Sequence, residues 1–114
     1  AKGIDSEESN AMSKRLEMLE QVLAKGSTDP FHHYAHAMEL RSVGRKDDAL
    51  AAFGKVAERF ADYVPTYLMA GQLADEIGQR DVARSFCTRG VEVATRKHDH
   101  HALSELQTFL QTLG

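Results

Sequence analysis

Val43-Gly44-Arg45-Lys46-Asp47-Asp48-Ala49 and Ile77-Gly78-Gln79-Arg80-Asp81-Val82-Ala83 are two versions of one heptapeptide, offset by 34 residues. Each has an apolar residue, a glycine, a basic residue, an aspartate and an alanine in the same order. Glycine accepts the left-handed backbone that reverses a chain after a helix. The aspartate suits the positive end of the next helix, and alanine lets two antiparallel helices approach closely. The heptapeptide therefore reads as the corner of a helical hairpin, and the chain holds two of them.

Helical patterning extends outward from both corners. Leu16, Leu19, Val22 and Leu23 recur at spacings of three and four, which predicts an amphipathic helix over 13–25 that stops at Gly26. Asp29-Pro30 caps and starts a second helix that runs to about Val43. A third is expected from Asp47 to about Ala61. A fourth follows Asp62 and Val64-Pro65 and reaches Ile77, and a fifth runs from Asp81 to about Arg96. The last begins at His98-Asp99 and carries Leu103, Leu106, Phe109, Leu110 and Leu113 on one face. No stretch shows the alternation of a strand, so the fold class is all-α.

The 34-residue period, the turn glycine and the small residue of the following helix resemble the tetratricopeptide repeat family. Repeats placed at 30–63 and 64–97 put the family's small residues on Ala37 and Gly71, and on Ala49 and Ala83. Its bulky positions fall on Leu40 and Ala74, and on Phe53 and Cys87. Tyr67 meets the aromatic position that His33 replaces, and His36 and Ala70 stand where leucine is usual. The resemblance implies antiparallel helix–turn–helix repeats forming a short right-handed solenoid, with two full units and a half-repeat helix at each end (about 13–25 and 99–113). Residues 1–11 lack periodicity and read as a remnant of an affinity tag. That leaves 12–114 as one helical domain.

Composition excludes several functions. The 114 residues carry 14 Lys and Arg against 17 Asp and Glu, a formal charge of −3, with none of the basic excess of a nucleic-acid binder. No apolar run approaches the ~20 residues of a membrane span. A single cysteine excludes an intrachain disulfide and suits a reducing, cytoplasmic setting. No phosphate loop, nucleophile elbow or paired acidic motif is present, so no catalysis is expected. His32 and His36 are one helical turn apart and His98, His100 and His101 form a second cluster, but the two clusters lie two repeats apart. No metal or other cofactor is expected. Cys87 stands at a core position.

The family resemblance also implies a function. First helices of successive repeats line a concave groove that accepts a segment of another protein. Carried over, the groove residues are Phe31, Tyr34, Met38 and Arg41, then Leu68, Gln72, Asp75 and Glu76, with Leu106 from the last helix. Tyr34, Met38, Pro65 and Met69 occupy the positions where relatives that grip a terminal carboxylate place lysine, asparagine and arginine, so that clamp is absent. The expected role is an interaction module or adaptor whose partly apolar groove binds a protein or peptide, with Asp75 and Glu76 favouring a basic flank. The alternative is self-association into a homodimer through the same surface or a terminal helix.

Overall fold

The computed structural model describes residues 14–114, and the remnant expected at 1–11 lies outside them. Six helices account for nearly all of the described chain: α1, helical over 14–24, α2 (Pro30–Ser42), α3 (Lys46–Arg59), α4 (Pro65–Glu76), α5 (Arg80–Arg96) and α6 (His100–Thr112). No strand occurs among the described residues. The chain gathers into two compact units, one up to Ala52 and one from Phe53 to Gly114. No helix among the described residues is long and apolar enough to cross a membrane.

The corners close as their chemistry requires. Gly44 has φ +87° and Gly78 φ +82°. At the first corner the Gly44 and Arg45 amides donate to the Arg41 and Leu40 carbonyls, at 3.0 and 2.9 Å. At the second, Gly78 and Gln79 donate to Asp75 and Ala74 at 3.0 and 2.8 Å. Both sets satisfy carbonyls that a helix end leaves free. The Asp29 carboxylate accepts from the Phe31 amide at 2.9 Å, and Pro30 supplies the first turn of α2. Asp62 does not cap α4. Its carboxylate accepts instead from Arg96, which holds its pKa below the ordinary aspartate value, and its carbonyl accepts from Lys97 Nζ at 2.9 Å. The two bonds tie the chain before α4 to the end of α5.

Among the described residues the same turn occurs once without glycine. His98 has φ +59° and follows α5, with its amide on the Thr95 carbonyl (3.2 Å) and the Asp99 amide on the Ala94 carbonyl (2.9 Å). His98 is therefore the corner residue, and Asp99 is the cap that opens α6, accepting from the Ala102 amide at 3.1 Å. A side chain in left-handed backbone costs ~1–2 kcal/mol that glycine avoids. His98→Gly is accordingly expected to raise the stability of residues 53–114 by about 1 kcal/mol, read as a higher urea midpoint with unchanged slope.

In the second unit α4, α5 and α6 pack on one another. Tyr67, Ala70, Leu73, Ala74, Ala83, Cys87 and Ala94 are all buried at 1% exposure or less. The Tyr67 hydroxyl donates to the Ala61 carbonyl at 2.6 Å, so its polar end is satisfied. Two glycines permit the closest approaches. A Cβ at Gly90 would stand 2.6 Å from Tyr67 Cβ and 3.0 Å from Leu106 Cδ2, and one at Gly71 would collide with Cys87 Sγ. Helix α6 thus enters the core over Gly90, and α5 meets α4 over Gly71.

Candidate functional site

In the first unit the apolar faces of α1 and α2 leave a cleft of about 590 Å³ between them. Phe31, Tyr34 and Met38 line it from α2, and Met18, Leu19 and Val22 from α1, with Arg15 and Glu39 also on its walls. Residues 31, 34 and 38 recur at helical spacing, which sets them on one face of α2. Phe31 is 55% exposed and Met18 66%, the two most exposed large apolar side chains among the described residues. The first turn of α2 is fixed from below by Ser27. Its hydroxyl hydrogen-bonds His32 Nδ1 at 2.7 Å, and its carbonyl accepts from His33 Nε2 at 2.8 Å. The cleft therefore combines adaptable thioethers, one from each helix, with aromatic rings on the capped α2, a composition suited to gripping an apolar side chain.

The second unit has a shallower depression of about 330 Å³, where Leu68 and Gln72 of α4 meet Ser104, Glu105, Thr108 and Phe109 of α6. Five of its seven lining residues, counting Thr112, have polar side chains, and Leu68 and Phe109 supply the apolar surface. The groove residues expected from the sequence thus fall into several places. Phe31, Tyr34 and Met38 come together in the first unit, and Leu68 with Gln72 in the second. Arg41, Asp75 and Glu76 are among the lining residues of neither. Leu106 is 1% exposed and packs over Gly90, so it is a core residue of the second unit. Reading the sequence alone missed the contribution of α1. Its apolar spacing was plain, but Met18 lies off the stripe formed by Leu16, Leu19, Val22 and Leu23. Glu39 was missed as well, since it carries no motif.

The titratable groups are engaged singly. His36 Nε2 stands 3.7 Å from Glu20, and His101 Nε2 3.2 Å from Glu105. Among the described residues no three His, Cys, Asp or Glu side chains are placed to hold one metal ion. Burial pushes the Cys87 thiol up to about 11, far from the thiolate a nucleophile needs.

No family model matches the chain, and no curated protein matches it. Solved structures do. A tetratricopeptide repeat domain protein from Salinibacter ruber, solved by NMR, is 35% identical with a TM-score of 0.72, and the match covers 75% of this chain and 87% of that one. The crystal structure of the S. ruber tetratricopeptide repeat domain protein matches at 35% identity and a TM-score of 0.70, over 75% and 94% of the two chains. PcrH, crystallised in complex with the chaperone binding region of PopD, shares the fold at 13% identity and a TM-score of 0.81, over 97% of this chain and 84% of its own. With the repeated glycine corners, the buried alanines and these likenesses together, the chain belongs to the tetratricopeptide repeat family.

Proposed function

We propose that this chain is a non-catalytic interaction module that binds a segment of a partner protein in the cleft of its first unit. The observation that carries the reading is the exposure of Phe31 and Met18 over a preformed apolar cleft. Large apolar side chains left in water beside a concavity are what a partner's anchor residue covers. Family membership supports the reading, as does PcrH, a protein of the same fold that holds a segment of another protein. A cytoplasmic place of action belongs to the same proposal and is supported by the lone, buried Cys87.

A peptide selected from a displayed library against the full chain provides the test. Phe31→Ala combined with Met38→Ala is expected to weaken that peptide at least tenfold, since truncating an interface anchor costs ~2 kcal/mol or more. Helicity should be retained, because Phe31 lies more than half in solvent. Undiminished affinity in the folded double variant would remove the cleft from the account.

A further inference from the structure

Glu39 occupies the place in the first repeat that Leu73 occupies in the second, one 34-residue period on. Leu73 is 0% exposed, an ordinary core residue. At the matching position the first unit buries a carboxylate instead, with only 6% of the side chain exposed. Oε2 lies 3.6 Å from Arg15 Nη1, too long for a strong hydrogen bond, and the Arg15 side chain is 74% exposed. Oε1 has no hydrogen-bond partner among the described residues. A buried carboxylate oxygen without a donor is costly, and in an apolar surrounding it gains more from one than it would in water. Among the described residues, Glu39 and Arg15 are the only ionic side chains that line the cleft.

We propose that the cleft recognises a protein segment in which a lysine or arginine stands beside an apolar residue. The apolar side chain packs on Phe31, Tyr34 and Met38, and the ammonium or guanidinium donates to Glu39. This specificity rests on the interaction-module reading and goes one step beyond it. A cation fits better than a neutral donor because it adds charge–charge attraction to the hydrogen bond it donates, and that attraction is stronger where water is excluded. Arg15, held loosely and mostly in solvent, yields its place at Oε2 when a ligand cation arrives. Rotation about the last side-chain bond then presents either carboxylate oxygen to the ligand. An acidic segment would set its charge against Glu39.

The test uses three probes of one shape: hexylammonium, hexanol and hexanoate, each titrated into the full chain while the Met18 and Met38 methyl resonances are followed. Hexylammonium is expected to bind at least tenfold more tightly than hexanol, with hexanoate weakest. Glu39→Gln should bring hexylammonium down to the level of hexanol and leave hexanol unchanged. Arg15→Ala removes the competing cation and should tighten hexylammonium, which keeps the test open if the Glu39 variant fails to fold. Equal binding of the ammonium and the alcohol, or strongest binding of hexanoate, would overturn the basic-segment specificity and leave the apolar cleft standing. No shift at Met18 or Met38 with any probe would overturn both. A dimer in light scattering that Phe31→Ala dissociates would show a second copy as the occupant, and would also overturn the specificity.

Discussion

Gly90→Ala is expected to cost residues 53–114 roughly 1–2 kcal/mol net, although the substitution favours a helix elsewhere. In an open helical position alanine gains ~1 kcal/mol over glycine. At Gly90 the added Cβ would meet Tyr67 Cβ at 2.6 Å, an atom tied to its own backbone and unable to swing aside. Leu106 closes the other side at 3.0 Å. Relief requires α4 or α6 to move, and overpacking of this kind costs ~1–3 kcal/mol or more. The melting temperature should fall by roughly 5–15 °C in consequence. Gly54 is the internal control. It is also helical, yet a Cβ there meets nothing within 4 Å, so Gly54→Ala should stabilise by about 1 kcal/mol. Thermal melts of the two variants are expected to shift in opposite directions. A stabilised Gly90→Ala protein would mean that α6 does not pack over α5 as described.

Gly71→Ala is expected to lose about 2 kcal/mol on its own and very little in a Cys87→Ala background. The new methyl group collides with the Cys87 sulfur and little else, since the next neighbour, the Ala83 carbonyl, is at 3.4 Å. Removing the sulfur alone leaves a small cavity and costs ~1–2 kcal/mol. In the double variant the methyl group fills that space, so the two losses should not add. A coupling of roughly 1–2 kcal/mol in a double-mutant cycle of urea unfolding is the expected signature. Strict additivity would show that the two positions are not in contact. The cycle also fixes what Cys87 is for: with its thiol pushed up to about 11 by burial, it serves as a packing atom facing a glycine.

Both predictions depend on features that the sequence shows only in part. The corners at Gly44 and Gly78 were legible because glycine is the residue that left-handed backbone selects, and both take it up. The corner at His98 was not, because a histidine there gives no local signal and the strain is sustained by the helices on either side. Ala49 and Ala83 were legible as close-packing positions, and both are fully buried. Leu106 shows the converse. The apolar stripe of α6 was visible, but which of its residues is covered depends on Gly90, a position whose counterpart in the first repeat is Val56. Only the packed structure shows α6 seated where a side chain is missing.

The candidate site divides in the same way. Phe31, Tyr34 and Met38 were implied by the resemblance to the repeat family, which places the first helix of a repeat on a binding surface, and the cleft gathers all three. Periodicity in one helix, however, says nothing about the side chains that face it from another. Met18 and Arg15 enter the site only because α1 packs beside α2. Glu39 reads as one more surface glutamate in a charged chain until its burial is known. A carboxylate in a leucine's place is a statement about tertiary structure, and its meaning for recognition could not have been read earlier.

Methionine methyl NMR tests the central claim most directly, because Met18 and Met38 line the cleft of the first unit while Met69 lies on α4 in the second. A library-selected peptide is titrated into the full chain carrying labelled methyl groups. Saturable shifts at Met18 and Met38 with Met69 unmoved are the expected result. Shifts at Met69 alone, or binding that leaves Met18 and Met38 in place, would contradict the account and move the interaction surface away from the cleft.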